Sequence, residues 1–520
     1  MATISRRLWY WVGRLASRRV AVGVAVAVLP IALRLALLGW IPMPQPGIQD
    51  EFSYLLAADT YAHGRLTNPT HPMWIHFETV HEIMHPTYQS KYPPLQGMLL
   101  AVGQVLFHEP WAGVLLSIGA MNAALWWALN GWLPPRWALL ATLLAVLRIG
   151  FVSYWTEGYW GGAAAAVGGA LVIGAVPRSR RGFSFRMALI FASGLAMLAN
   201  SRPFEGAILG AICLGAVLMR VSLGKMAGPL ALVLVPVGVW MAYYNYRVTG
   251  DPLRFAYEEH ERQYETWAPF VWDTHPRVAP QYNHEDLRAT WIGWEEAKRR
   301  REGAAPLKMR LVSFYLFENF YTGVPLTLCL FALAIPVWRS QRKIRLVLAL
   351  SLLFTLAVQT ETVLWPHYVA PATALVFVIV GAVMRQFRHC APRAMLAVCA
   401  VIVLFDVYQL CTSDSRWLFD KSDFVAERRV VLSRLEKASG KQLVFVEYHP
   451  GHDVNHEWVY NRADIDASRI VWAHAMSPER DEELIRYYPD RNVWRFEDDA
   501  AGKFTLERVS PAARPKDTPR

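Results

Sequence analysis

Long apolar runs separated by short basic clusters constrain this sequence more than any other feature. The runs at 20–41 and 111–132, for example, are each long enough to cross about 30 Å of hydrocarbon as a helix. Backbone amides in lipid must find partners inside the protein, which favours helices. The 520 residues are 54% hydrophobic and only 18% charged, whereas soluble proteins carry about a quarter charged residues. The sequence therefore predicts an α-helical polytopic membrane protein.

The apolar runs predict about eleven membrane-spanning helices. The predicted spans are 20–41, 111–132, 137–154, 161–176, 187–200, 204–219, 227–244, 311–337, 346–364, 368–384 and 394–411. The segment Pro94–Phe107 is also apolar, but it is too short for a span. It is better interpreted as a helix at the membrane interface or as a shallow re-entrant helix.

Basic clusters orient these spans, because Lys and Arg are retained on the cytoplasmic side of short connections. The net charge of +11 comes largely from clusters at 6–19, 178–186, 339–345 and 385–393. The pattern predicts a multi-pass protein of the inner (plasma) membrane with a cytoplasmic N-terminus. Two long loops, 42–110 and 245–306, then lie outside. The membrane topology explains the positive net charge, so this charge does not indicate nucleic-acid binding.

The composition changes from about residue 413 to that of a small soluble domain. Apolar stretches typical of strands occur at 443–448, 458–460, 470–472 and 493–496, and they alternate with helical patterns near 422–438 and 479–488. We expect a transmembrane domain at 1–412 followed by a small extracytoplasmic α/β domain at 413–520.

The first long loop begins with two adjacent carboxylates, Asp50 and Glu51. Such a pair beyond a membrane helix could supply a general base or a ligand for a divalent cation. The alternative is a solvated helix N-terminus, where Asp and Glu are favoured in any case. The residues alone leave both interpretations open.

Other polar residues are predicted on the same side of the membrane. Lys91 and Tyr92 close the first loop in a Lys-Tyr-Pro-Pro sequence, Glu157 lies in an aromatic turn, and Arg202 lies in an Asn-Ser-Arg-Pro turn. Cations there could hold a phosphate while a carboxylate accepts a proton. His367 is a weaker phosphate-binding candidate, as is Arg202, because no motif assigns either residue.

These elements together resemble the membrane glycosyltransferases of the GT-C class. The nearest branch comprises the protein O-mannosyltransferases and aminoarabinose transferases, in glycosyltransferase families 39 and 83. The shared elements are the acidic pair Asp50-Glu51, the Lys-Pro-Pro-like segment at Lys91 and the acidic Glu157. The resemblance covers roughly residues 20–250, and the acidic pair in its topological setting is the most specific part.

The resemblance implies transfer of a sugar from a polyprenyl-phosphate donor to an acceptor on the outer face, with inversion at the sugar. It implies that Asp50 is the general base, that Glu51 and Glu157 shape the sugar or acceptor site, and that Lys91 touches the donor phosphate. Tyr92, next to Lys91, is a further candidate for substrate binding. No cofactor is assigned. The requirement for a divalent cation stays open, as do the sugar and the acceptor.

Two other functional classes are compatible with a polytopic chain. A transporter or lipid flippase usually places charges near the bilayer midplane in repeated halves, and no internal repeat occurs in this sequence. A non-enzymatic assembly subunit would not need acidic and basic groups on one face.

Arg34 and Arg148, both inside predicted spans, could mark a pathway or a buried pair, and Arg148 could also snorkel to the interface.

One short motif points elsewhere. His81-Glu82-Ile83-Met84-His85 matches the H-E-x-x-H pattern of zinc proteases. That pattern binds zinc only on a continuous helix, and Pro86 disfavours helical geometry at His85. No third ligand follows at a recognisable spacing. We therefore expect a loop without a protease site.

Overall fold

The computed structural model describes residues 2–181, 184–266, 270–272, 278–304, 306–361, 364–412, 422–498 and 504–509. Its helices are α1 (Ala2–Ser17), α2 (Arg19–Ala36), α3 (Gln49–Ala62), α4 (Pro94–Phe107), α5 (Pro110–Trp132), α6 (Pro135–Ala145), α7 (Ala163–Ala175), α8 (Phe185–Ala199), α9 (Pro203–Leu218), α10 (Leu223–Thr249), α11 (Ala256–Tyr264), α12 (Glu285–Arg288), α13 (Ala297–Ala304), α14 (Pro306–Tyr321), α15 (Val324–Ser340), α16 (Arg342–Val358), α17 (Thr373–Cys390), α18 (Met395–Thr412), α19 (Ser422–Lys437) and α20 (Pro478–Tyr487). Its strands are β1 (Asn68–Pro69), β2 (Glu82–Ile83), β3 (Thr87–Ser90), β4 (Lys441–Tyr448), β5 (Ile470–His474), β6 (Arg491–Asp498) and β7 (Phe504–Arg508).

Apolar helices dominate the chain up to α18. In the described part, α2, α5, α10 and the segment Ala370–Cys390 are long and apolar enough to cross a membrane, and the bent pair α14–α15 makes a fifth if it is one span. Several of the other predicted spans correspond to shorter apolar helices of 10 to 17 residues. A mainly helical, multi-pass membrane protein is thus confirmed, and the number of eleven spans stays a prediction.

The predicted span at 311–337 is not one straight helix. It divides into α14 and α15, whose axes differ by 106°. Gly323 stands between them with φ +71°, a left-handed conformation that glycine adopts easily and that other residues rarely do. Pro325 follows at the start of α15, where proline is favoured. Glycine and proline together therefore end one helix and begin the next.

Close helix packing places α3, the helix that carries Asp50. α3 packs on α4, and α4 packs on α5. The α4–α5 contact depends on glycine: a Cβ atom at Gly103 would lie 2.3 Å from the backbone nitrogen of Gly113. Small residues allow helix backbones in membranes to approach this closely. The short apolar segment at 94–107 is thus a helix packed between α3 and α5.

The C-terminal residues form a four-stranded sheet in the order β5-β4-β6-β7. β4 is parallel to both β5 and β6, and β7 is antiparallel to β6. Leu443 to Val446 in β4 are all buried, as expected for a central parallel strand covered on both faces. The prediction of a strand at 458–460 was wrong: Trp458 and Val459 are buried in an irregular segment, and their backbone N–H groups donate to the hydroxyl of Tyr448.

The C-terminal sheet shares its hydrophobic core with the first long loop. Phe52 of α3 belongs to the cluster formed by α19 and one face of the sheet. Leu56, one turn further along α3, belongs to the cluster on the other face, together with Phe77. The α/β unit is therefore packed directly against α3, the helix that carries Asp50 in its first turn. Residues 413–421, where the predicted domain boundary falls, lie outside the described residues.

Candidate functional site

A large cavity of about 1290 Å³ lies between the first long loop, the second long loop and the ends of the apolar helices. Five of the residues predicted at the site line it: Asp50, Lys91, Tyr92, Arg202 and His367. These residues are separated by up to 317 positions in the sequence (367 − 50). The fold thus brings together most of the predicted site, and Glu51 and Glu157 are not among the lining residues.

Asp50 stands in the first turn of α3, and its side chain keeps 24% of its surface exposed. The hydroxyl of Tyr92 donates a hydrogen bond to its Oδ1 atom. The Nε2 atom of His81 lies 4.0 Å from the same oxygen. Burial raises the pKa of the Asp50 carboxyl above its usual value, whereas the Tyr92 hydrogen bond and the charge of Lys91 act in the opposite direction. A carboxyl with a raised pKa and an open side is suited to accept a proton.

Lys91 extends along the cavity wall between aromatic rings and an acidic partner. Its Nζ atom lies 3.4 Å from Glu265 Oε1 and 5.4 Å from the centre of the Trp291 ring. His260 Nδ1 is 3.3 Å from the same glutamate oxygen. Burial tends to raise the pKa of Glu265, but Lys91 and His260 lower it to about 2. The second long loop therefore supplies a permanently charged carboxylate that holds Lys91 at the cavity.

Arg202 directly precedes α9 and lines the cavity. Its guanidinium lies 4.4 Å from the centre of the Tyr368 ring and 3.7 Å from Glu205 Oε1. A hydrogen bond from Leu95 N to Asn200 O, 3.0 Å long, joins the two segments. Arg202 and Lys91 are thus two cations that line the same cavity on joined segments, and such cations can bind phosphate oxygens.

His367 is almost completely buried and contacts the aromatic turn at 154–160. Its Nδ1 atom is 3.2 Å from the hydroxyl of Tyr154, and its ring meets Trp160 edge-on at 4.8 Å. Burial, followed by the charge of Arg202, lowers the pKa of His367 well below its usual value. The imidazole is therefore neutral, and it can offer a hydrogen bond but not a positive charge.

Glu51 turns away from the cavity and is fully buried. Its carboxylate accepts backbone hydrogen bonds from Gly47 (2.8 Å), Ile48 (3.3 Å) and Tyr159 (3.1 Å). The side chain thus ties the start of α3 to the aromatic turn. The structure separates the two adjacent carboxylates, one at the cavity and one within the protein.

Glu157 is paired with Arg34, and both side chains are buried. Arg34 Nη2 donates to Glu157 Oε2 at 2.7 Å, and the guanidinium also donates to the carbonyls of Ile41 (3.0 Å) and Pro42 (2.9 Å). A buried pair in which every guanidinium nitrogen is hydrogen-bonded is the arrangement that makes such charges tolerable. Of the two interpretations of Arg34, the structure favours the buried pair.

Arg148 makes a second buried pair, with Asp406 of α18. Its side chain is 1% exposed, so the suggestion that Arg148 snorkels to the interface was wrong.

The H-E-x-x-H segment does not form a continuous helix, as the sequence predicted. His81 has φ +67° and Glu82–Ile83 is the strand β2, so the segment is not helical.

Sequence reasoning missed several residues of the cavity wall, namely His81, Trp291, Lys298, Arg299 and Glu361. All but His81 and Glu361 lie in the second long loop, whose dense charges and tryptophans were the available signal. Because these residues reach the cavity by tertiary contact, their spacing in the sequence carries no further information.

One group of three side chains could hold a metal ion, and it lies outside this cavity. Ligand atoms of His284, Asp286 and His474 are all within 4.8 Å of one another, and no other such group occurs among the residues that the structure describes.

Comparisons with known proteins identify the fold. Neither a family model nor a curated protein matches the sequence. Among solved structures, ArnT from Cupriavidus metallidurans bound to undecaprenyl phosphate matches with a TM-score of 0.53 and 12% sequence identity, covering 93% of each chain. An oligosaccharyltransferase of Archaeoglobus fulgidus in complex with zinc and sulfate gives a TM-score of 0.48 and 11% identity over 92% of this chain and 68% of that one. The resemblance drawn from the sequence is thus confirmed at the level of the fold: over almost its whole length, this chain has the fold of ArnT.

Proposed function

We propose that this chain is a GT-C-type glycosyltransferase that takes a sugar from a polyprenyl-phosphate donor and passes it to an acceptor. The observation that carries the proposal is the cavity that combines a partly exposed carboxylate, Asp50, with two cations, Lys91 and Arg202. The shared fold supports it, because the ArnT structure is bound to undecaprenyl phosphate, a polyprenyl phosphate.

In this proposal Asp50 is the general base. The acceptor oxygen attacks the anomeric carbon of the sugar while the bond from that carbon to the phosphate oxygen breaks. The acceptor proton passes to the Asp50 carboxylate, and the phosphate leaves with the electron pair, still attached to the lipid. Attack from the face opposite the phosphate inverts the configuration. A positioned carboxylate typically contributes on the order of 10² to 10⁴ to such a rate.

Lys91 and Arg202 would bind the phosphate and stabilise the charge that develops on it. Tyr92 orients the Asp50 carboxylate through its hydroxyl. Neutral His367 and the ring of Tyr368 would complete the wall next to Arg202. Each of these roles follows from a contact or a charge at the cavity.

Glu51 and Glu157 act, in this proposal, through the segments that they hold rather than on the substrate. Glu51 fixes the beginning of α3, directly beside Asp50. Glu157 and its partner Arg34 fix the aromatic turn whose Trp160 lines the cavity. Both are positioning residues for the sugar or acceptor site.

The basic clusters support a location in the plasma (inner) membrane with a cytoplasmic N-terminus. The cavity, both long loops and the α/β domain (413–520) then lie on the outer side, beyond the transmembrane domain (1–412). A donor whose sugar is presented on the outer leaflet would reach the cavity from the bilayer.

Binding of undecaprenyl phosphate tests the proposal directly. We expect Lys91→Gln and Arg202→Gln, in nanodiscs, each to weaken binding about 10-fold or more, because a hydrogen bond to a charged group contributes about 1.5–3 kcal/mol. The difference from wild type should shrink at high salt, since ions screen the phosphate.

Arg247→Gln is the matched control. Arg247 is an exposed arginine at the same end of α10 as the second long loop, and it contacts Tyr243 rather than the cavity. Wild-type affinity in both the Lys91 and the Arg202 variant would show that the phosphate does not bind in this cavity, and it would contradict the proposed function.

A further inference from the structure

The helix α1 packs on the apolar bundle with one face and leaves an aromatic face uncovered. Trp9 contacts Trp137 of α6, with 4.9 Å between the ring centroids. On the other face, the side chains of Tyr10 and Trp11 are 59% and 57% exposed. A single residue, Arg18, separates α1 from the apolar span α2. A helix with exposed aromatic and basic residues beside a membrane span is typical of one that lies in the lipid headgroup layer.

Two arginines from other helices contact the Trp9 ring, and they are called the arginine pair below. The Cζ atom of Arg388, in the last turn of α17, lies 3.6 Å from the ring centroid, and that of Arg136, in the first turn of α6, lies 5.6 Å from it. Gly13 leaves room for Arg136, because a Cβ atom at Gly13 would lie 2.2 Å from Arg136 Nε. Guanidinium groups stack favourably on indole rings. The ends of three helices therefore hold two positive charges on one aromatic ring.

The arginine pair has no acidic partner. Within the described residues, Arg136 and Arg388 make no hydrogen bond and no ion pair, and both side chains are partly exposed. The sequence explains this, because no Asp or Glu occurs at 1–49, 110–156 or 362–405, the stretches that contain α1, α6 and α17. The two positive charges are close enough to repel each other. An anion between them would turn this repulsion into attraction.

Other arginines of the basic clusters are already bonded to the protein. Arg178 donates to the backbone carbonyl of Trp127 at 2.8 Å, and Arg345 donates to that of Trp338 at 2.9 Å. Basic side chains commonly bond the last carbonyls of helices in this way. The arginine pair differs, because its guanidinium N–H groups have no acceptor among the described residues and each guanidinium carries five donors. Its donors are therefore available to a ligand.

The position of the arginine pair indicates which anion it meets. It lies where the turn between α5 and α6 meets the end of α17, and the ends of apolar helices lie at the membrane surface. In the proposed orientation this is the cytoplasmic surface, whose leaflet contains anionic lipids. Basic pockets between helices on that side bind the head groups of such lipids. Arginine binds phosphate oxygens through two parallel hydrogen bonds.

We propose that Trp9, Arg136 and Arg388 bind the headgroup of an anionic phospholipid of the phosphatidylglycerol type. The phosphodiester oxygens accept hydrogen bonds from both guanidinium groups, and the acyl chains lie along the exposed apolar residues of α1 and α2. The bound lipid would fasten α1 to α6 and α17. This proposal does not depend on glycosyl transfer, because none of the three residues lines the cavity that contains Asp50.

Native mass spectrometry of the full-length protein, stripped of lipid in detergent, tests the site. We expect wild type to bind phosphatidylglycerol at least about 10-fold more tightly than phosphatidylcholine, which has the same phosphate but no net charge. Phosphatidylglycerol should also raise the midpoint of thermal unfolding with increasing concentration. Inorganic phosphate at the same concentrations should not, because it lacks the acyl chains. The preference for the anionic lipid should weaken at high salt.

Arg136→Gln and Arg388→Gln should each weaken phosphatidylglycerol binding at least about 10-fold, because each loses hydrogen bonds between charged groups. Arg342→Gln is the matched control, since Arg342 is an exposed arginine at the start of α16, in a basic cluster on the same predicted side. It should keep the wild-type preference for the anionic lipid.

Three results would overturn the proposal: equal binding of the two lipids by wild type, an equal loss in the Arg342 control and the Arg136 variant, or stabilisation by inorganic phosphate as large as that by phosphatidylglycerol. The last result would assign the arginine pair to a free anion. If the variants fail to fold, the comparison of the two lipids on wild type still decides.

Discussion

Asp50 and Glu51 follow one another at the start of α3, yet their carboxylates meet different surroundings. Asp50 keeps an open side at the cavity, whereas Glu51 accepts three backbone hydrogen bonds within the protein. Consecutive residues on a helix point about 100° apart, and of these two carboxylates only that of Asp50 lines the cavity. Their contributions to activity and stability should therefore separate.

The Tyr92 hydroxyl donates a hydrogen bond to the Asp50 carboxylate. Its hydrogen bond stabilises the charged carboxylate, so Tyr92→Phe should raise the pKa of Asp50 further. The general base that we propose at Asp50 would work only when deprotonated, so activity should rise with pH through the pKa of Asp50. We expect the midpoint of this acid limb to move upward by about one pH unit in the variant.

The measurement is the pH profile of sugar transfer. Tyr54→Phe is the matched control, because the Tyr54 ring stacks on Tyr92 at 4.4 Å and also lines the cavity. An unchanged midpoint in Tyr92→Phe, or an equal shift in both variants, would contradict the role given to the hydrogen bond.

Glu51→Gln should act mainly on stability. A glutamine offers one acceptor oxygen and turns an N–H₂ group towards backbone donors, which leaves buried groups unpaired. We expect a loss of about 1–3 kcal/mol in the free energy of unfolding, seen as a lower thermal midpoint in detergent.

Glu285→Gln provides the comparison for this loss. Glu285 is 74% exposed and pairs with Arg288 on the surface, where such pairs contribute about 0–1 kcal/mol. A Glu51→Gln protein as stable as the Glu285 variant would refute the structural assignment.

The sequence was sufficient to find Asp50, Lys91, Tyr92, Arg202 and His367 as residues of one surface. It could not separate the directions of Asp50 and Glu51, because that depends on how α3 packs. It also could not pair Glu157 with Arg34, 123 residues away. Such pairs form through tertiary contact, which no local spacing encodes.

The helix α3 packs against two elements, α4 and the C-terminal sheet. Its Asp50 end faces the cavity, and its Phe52 and Leu56 side chains lie in the cores of the C-terminal sheet. The sequence predicted both the long loop and an α/β domain, but not that they share a core. The apolar residues of α3 show only that it packs, not against which element.

Phe52→Ala should loosen this contact. Phe52 is 2% exposed and lies under the guanidinium of Arg428 at 4.6 Å. Removing a buried phenyl ring typically costs about 3–5 kcal/mol, and the loss here falls between α3 and the sheet. We expect faster hydrogen exchange of the α3 amides and a lower transfer rate, with α17 unaffected.

Leu253→Ala is the control for this exchange measurement, since Leu253 borders the cavity but is 84% exposed. Equal protection of α3 in wild type and Phe52→Ala would show that the C-terminal sheet does not hold the helix.

The orientation of the whole protein in the membrane determines on which side of the membrane the cavity opens. Cysteines placed at Gly250 and Lys437 should react with an impermeant thiol reagent in intact cells, and one at Ser340 should react only after lysis. All three positions are exposed in the structure. The background should lack Cys390, which is also exposed. Labelling at Ser340 in intact cells would invert the topology.

The most direct test of Asp50 as the general base is the single-turnover release of polyprenyl phosphate from a polyprenyl-phosphate sugar. The reaction is run in nanodiscs with an envelope extract of the source cells as the acceptor mixture. Asp50→Asn keeps the shape of the side chain and removes its basic charge. We expect a rate lower by on the order of 10² to 10⁴ with donor binding and folding retained. Wild-type turnover by Asp50→Asn would contradict the role of Asp50 as the base.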